Sequence, residues 1–117
     1  MTDEGVPTSV VVGPYRYAIH VEHEAMERIR RSDGSGDGHI GSSNHHQLKI
    51  TVDGSLATTM VADTLLHEIV HCCYRVSGVG VGKMTEEEAI EHLTPILLDT
   101  LRRNPAVARY LFGNEEA

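Results

Sequence analysis

His67-Glu68-Ile69-Val70-His71 is where this sequence concentrates chemistry. Two histidines four residues apart share one face of a helix, so both imidazoles reach a single ion. Two neutral imidazoles and a third ligand suit Zn²⁺ and leave one position for water, whose pKa the ion lowers toward about 7. Glu68, next to His67, is placed to accept that water's proton and pass it to a leaving amine. The pattern therefore predicts His67 and His71 as metal ligands and Glu68 as general base. Leu65, Leu66, Ile69 and Val70 surround these residues and predict a largely buried motif helix. Two histidines and a glutamate in such surroundings are costly unless a metal satisfies them.

A third ligand is expected from the following helix, which opens on Glu86, Glu87 and Glu88. Around the helix axis Glu86 and Glu87 both border the stripe of Ile90, Leu93 and Leu97, and the geometry slightly favours Glu86. Glu88 points away and suits the carboxylate of a capping box with Thr85. At least two of the three are expected only to suit the helix dipole. His92, on the polar side, is the alternative ligand. His20, His23, His39, His45 and His46 are scattered over predicted strands and loops and read as surface residues. Asp63, one turn before His67, either orients its ring or faces solvent. Tyr74, one turn after His71, either lines a cleft or packs. Cys72 and Cys73 project about 100° apart on a helix and read as buried and inert.

The elements that position these groups follow from periodicity and punctuation. Ser9–Val12 is a short β-prone run ended by Gly13-Pro14, and Tyr15, Tyr17, Ile19 and Val21 alternate with polar or small residues as in a half-buried strand. Residues 22–31 carry helix formers. The 33–38 stretch is a glycine-rich loop whose spacing is wrong for a calcium site. His39–Gly41 predicts a short strand and Gln47–Val52 a clearer one. After Asp53-Gly54, Ser55 predicts a cap for a helix running to about Val76. Residues 77–83 form a glycine-rich connector without the spacing of a phosphate loop. The helix beginning at Thr85 has an apolar stripe of Ile90, Leu93, Leu97 and Leu101. Pro95 is expected to kink or split it. Asn104-Pro105 ends it, and residues 106–112 make a last short helix.

Composition bounds the function. The chain has 117 residues and reads as one domain over 8–113, with loose tails at 1–7 and 114–117. The fold class is α+β: a short antiparallel sheet packed on the motif helix, followed by C-terminal helices. A net charge of −7 repels phosphate backbones, so nucleic-acid binding is not expected. Arg28-Ile29-Arg30-Arg31 follows Glu22, Glu24 and Glu27 and reads as a solvated, ion-paired helix face. No run approaches the length of a membrane span, and the acidic start has no apolar segment, so the expectation is cytoplasmic. Adjacent cysteines fit a reducing compartment.

Residues 64–71 also resemble the motif helix of small phage- and prophage-encoded metallopeptidase-like proteins, themselves similar to minimal zincins of the ImmA/IrrE and SprT-like type. Glu87, followed by Ile90, Leu93, Thr94, Leu97 and Leu98, is similar to the E-x-x-A-x-x-F-A-x-x-L-L frame that supplies the Glu ligand in ImmA/IrrE proteins. Leu101-Arg102-Arg103-Asn104-Pro105 with Tyr110-Leu111 looks like the phage proteins, and the strand Leu48–Val52 fits its place before the motif helix. The likeness covers residues 45–112. It departs at Ile90-Glu91, where the frame has a small residue and then Asn or Asp, in a shorter linker to the Glu helix, and in offering no obvious third His of the SprT-like kind. The resemblance implies a minimal-zincin-like domain with zinc held by His67, His71 and Glu87. It implies Glu68 as base in hydrolysis of a peptide bond of a protein or peptide substrate. The alternative it allows is a zinc-binding phage-type regulatory or accessory protein with little or no proteolysis, partnered by a regulatory protein.

Overall fold

A computed structural model describes residues 5–33, 39–78 and 84–112. The loop expected over 33–38 and the connector over 77–83 therefore lie mostly outside the described residues. Strand β1 (Ser9–Val12) turns at Gly13, whose φ of +59° suits glycine, into β2 (Tyr15–Val21). The alternation read in the sequence sends Val10, Val12, Tyr17 and Ile19 into the core. Pro7, expected in a loose tail, is also buried.

Helix α1 (His23–Asp33) then leads to the hairpin of β3 (Gly41–Asn44) and β4 (Lys49–Val52). The strand order is β1-β2-β4-β3. The two hairpins are antiparallel, but β2 and β4 pair parallel, from Ala18↔Lys49 to Val21↔Val52. The sheet is thus mixed, not antiparallel as expected. The reason is α1: it carries the chain across one face, so β3 runs along the outer edge and its hairpin returns β4 beside β2 in the same direction. Central β4 is covered on both faces, and Ile50, Thr51 and Val52 are all buried. The expected strand at 39–41 lies two residues further on, at β3.

Helix α2 (Thr58–Ser77) packs on the sheet through Val61, Thr64, Leu65, Glu68, Ile69, Cys72 and Cys73, a stripe at helical spacing. It starts at Ala57 without a side-chain cap. Ser55, the expected cap, instead gives its N–H and hydroxyl to Asp53 Oδ1 at 2.9 and 2.8 Å, which closes the turn after β4. Gly78, with φ +80°, ends α2 in the left-handed conformation common there.

Helix α3 (Glu86–Arg103) opens on the expected capping box, with Glu88 N–H on Thr85 Oγ1 and Thr85 N–H on the Glu88 carboxylate. Pro95 lies inside one element, and α3 is not split there. Leu93, Ile96, Leu97 and Leu101 pack against the core, while Ile90, expected in the same stripe, is 49% exposed. Helix α4 (Pro105–Phe112) follows. Between them, Asn104 does more than end a helix. Its Oδ1 accepts the Val11 N–H and its Nδ2 donates to the Val11 carbonyl, each at 2.8 Å, so one side chain satisfies both backbone groups of Val11 on the outer edge of β1. The fold is a small α+β domain with a four-stranded mixed sheet. No helix among the described residues is long and apolar enough to cross a membrane.

Candidate metal centre

The helical stripe of α2 separates the three motif residues. Glu68 falls in the stripe and is 6% exposed, whereas His67 and His71 lie one row over and are both exposed. This corrects the expectation that all three are buried, because Leu66 and Val70 are only partly covered and the sheet shields a single face of α2. A burial penalty therefore argues for the setting of Glu68 alone and not for a metal at the histidines.

The histidines carry a different signal. Their Nε2 atoms stand 3.2 Å apart, with the rings at 76° and centroids 4.7 Å apart. That spacing suits one N–H···N hydrogen bond with one ring donating. It also matches the edge of a tetrahedral zinc site, where two nitrogens at ordinary bond lengths lie about 3.3 Å apart. On that distance alone, both nitrogens could bind one metal ion.

Both rings open on a cleft of ≈ 490 Å³ between α2 and the edge strand β3. Gly41, Ser42 and Ser43 form one wall, and Asp63, Thr64 and Glu68 join the histidines on the other. Strand β3 cradles the glutamate. Ser43 Oγ donates to Glu68 Oε1 at 2.6 Å. At Gly41 a Cβ would meet Glu68 Oε2 at 2.8 Å and Thr64 Cγ2 at 2.7 Å, so the strand approaches this closely only because residue 41 has no side chain.

The edge strand is itself anchored from behind. Arg30, 5% exposed, donates to the His39 carbonyl just before β3, to Asp53 Oδ2 at 3.1 Å and to Glu27 Oε2 at 2.9 Å. His23 Nδ1 adds a 2.9 Å contact to Asp53 Oδ1. Burial alone would raise the Asp53 carboxyl, but hydrogen bonds from Ser55, His23 and Arg30 outweigh it and hold it well below the usual carboxylate range.

His45, read as a surface residue, lines the same cleft. Its Nδ1 is 3.0 Å from the hydroxyl of buried Tyr17, with the rings edge to face. Burial, then the charges of Arg75 and His71, lower its pKa. Cys72 and Cys73 are buried as expected, and burial pushes the Cys72 thiol up to about 12. Asp63 is exposed at the cleft wall and makes no hydrogen bond to His67 among the described residues; Tyr74 is 44% exposed and does not line the cleft.

The candidate third ligands lie elsewhere. Glu86, Glu87, Glu88 and His92 are exposed on α3, and none lines the cleft. Among the described residues no three His, Cys, Asp or Glu side chains are arranged around a common ion. Gly41, Ser43 and His45 are the site residues that sequence reasoning missed. The run Gly41-Ser42-Ser43-Asn44 has no apolar alternation to mark it as a strand, so its place beside α2 left no local signal. No family model matches the chain, and no curated protein or solved structure is significantly similar to it.

Proposed function

We propose that this chain is a zinc-dependent metallopeptidase-like protein, with a minimal-zincin-like domain in which His67 and His71 hold the metal and Glu68 is the general base. The observation that carries this reading is the 3.2 Å approach of the two Nε2 atoms at the wall of a cleft that also contains the Glu68 carboxylate. Bound zinc supplies an acidified water and polarises a carbonyl. Glu68 takes the proton of the attacking water and returns it to the leaving nitrogen. Ser43 holds one carboxylate oxygen and so orients the other.

The edge strand suits a peptide substrate. The Ile40 carbonyl accepts the Asp53 N–H, and pairing alternates from there, so Ser42 and Asn44 bond β4 while the backbone groups of Gly41 and Ser43 point outward. An extended peptide adds to such an edge by main-chain hydrogen bonds. Resemblance of α3 to the ImmA/IrrE frame supports Glu87 as the third ligand, although Glu87 is exposed and does not line the cleft.

A second reading is favoured by the burial of Glu68 and its short bond to Ser43. A carboxylate so engaged fits a zinc-binding regulatory or accessory protein with little proteolysis. Two measurements separate these readings from each other and from a site without metal. Elemental analysis of protein purified without chelator should give about one zinc per chain. Glu68→Gln should keep zinc and fold while losing hydrolysis of an unfolded protein substrate such as casein. Zinc in both proteins with no hydrolysis by either leaves the accessory reading. No zinc on purification or titration removes both.

A further inference from the structure

We propose that the groove between α1 and the sheet binds a phosphate monoester carried on a small hydroxylated molecule, with Arg28 and Lys49 as its cationic contacts. The groove holds ≈ 500 Å³, as much as the α2 cleft, and shares no lining residue with it. Alternation along β4 turns Ile50 and Val52 to the core and Lys49 and Thr51 to the opposite face. Helix α1 borders that face and supplies Arg28, Ile29 and Ser32 to the groove.

Two features separate this groove from ordinary polar surface. Arg30 and Arg31 both pair with Glu27, whereas Arg28 and Lys49 make no ion pair among the described residues. Thr51 is 4% exposed, lines the groove, and has no hydrogen-bond partner for its hydroxyl among the described residues. Buried hydroxyls in folded proteins are paired, so this one takes its partner from whatever occupies the groove. The net charge of −7 does not oppose an anion here. Charges more than about 8 Å away are largely screened at physiological salt, so Arg28 and Lys49 set the local field. A phosphate group accepts from both cations and from the hydroxyls of Thr51 and Ser32. Glu22, at the same groove, repels a bare anion but accepts a hydroxyl of the ligand's carbon frame, and Ile29 offers that frame an apolar contact. This division of the lining selects an organic phosphate over inorganic phosphate.

The test is an amide ¹H–¹⁵N titration of the full chain with ribose 5-phosphate, inorganic phosphate and ribose. Ribose 5-phosphate should bind most tightly, with shifts centred on Arg28, Lys49 and Thr51. Lys49→Gln and Arg28→Gln, both at exposed residues, should each weaken it about tenfold or more. Thr51→Val should weaken it severalfold while leaving the urea midpoint unchanged or higher, an outcome that a purely structural threonine does not give. Glu22→Ala should erase the preference for ribose 5-phosphate over inorganic phosphate. Unchanged binding in both Lys49→Gln and Arg28→Gln overturns the site. Equal affinity for inorganic phosphate and ribose 5-phosphate in the unsubstituted protein overturns the monoester as ligand. Shifts confined to the α2 cleft, or no shift with any of the three probes, overturn the groove. None of these outcomes depends on whether His67 and His71 bind a metal.

Discussion

Gly41→Ala isolates the cradle that β3 makes for α2. The new Cβ would lie 2.7 Å from Thr64 Cγ2, 2.8 Å from Glu68 Oε2 and 3.1 Å from Glu68 Cγ. The carboxylate is the end of a flexible chain and swings into the cleft at the expense of its bond to Ser43. The Thr64 methyl does not move so easily, because a β-branched residue in a helix has few rotamers and Thr64 is 4% exposed. Overpacking of this kind costs about 1–3 kcal/mol. Loss of glycine's freedom in the unfolded chain returns about 0.4–1 kcal/mol. The net expectation is a destabilisation of about 1–2 kcal/mol, or a melting temperature lowered by roughly 3–8 °C. Urea unfolding of metal-free protein measures it without linkage to bound zinc. Thr64→Ser removes the offending methyl and keeps the hydroxyl, so it serves as the second arm of a double-mutant cycle. Gly41→Ala should cost less in the Thr64→Ser background, by about 0.5–1 kcal/mol. Strict additivity of the two substitutions, or stabilisation by Gly41→Ala alone, would refute the close approach of β3 to α2.

Three further outcomes are expected. Ser43→Ala leaves Glu68 Oε1 without its donor and should lower stability by about 1 kcal/mol, at the low end for a lost buried partner because the carboxylate can turn to the cleft; urea unfolding at neutral pH measures it. Asn104→Ala leaves the Val11 N–H and carbonyl unpaired, along with the Thr100 carbonyl that Asn104 Nδ2 reaches at 2.7 Å, and should cost about 2–3 kcal/mol in the same assay. The Asp53 carboxyl is depressed in the folded state, so the unfolded chain binds its proton first as pH falls. Its contribution is present above the ordinary Asp pKa of about 3.9 and is lost below it, and a plot of stability against pH should be flatter below pH ~4 in Asp53→Asn than in the unsubstituted protein.

Local energetics make much of this protein legible in its sequence. Alternation in Tyr15–Val21 marks a strand because side chains on a pleated ribbon reverse face at each residue. Thr85 with Glu88 marks a helix start because both bonds of the box close within four residues, and the i, i+4 spacing of His67 and His71 alone brings their nitrogens together. Tertiary structure decided the rest, since those interactions join residues far apart in the chain. The parallel pairing of β2 with β4 depends on the path of α1, and this one rearrangement puts β3 on the edge, opposite α2. The stripe of α2 is defined by what covers it, so only the packed sheet could bury Glu68 while leaving His67 and His71 open to the cleft. Ser43, Gly41, His45 and Asn104 carry no periodic or capping signature of their roles. Each acquires its role from a partner 23 or more residues away, at a distance that only the closed fold sets.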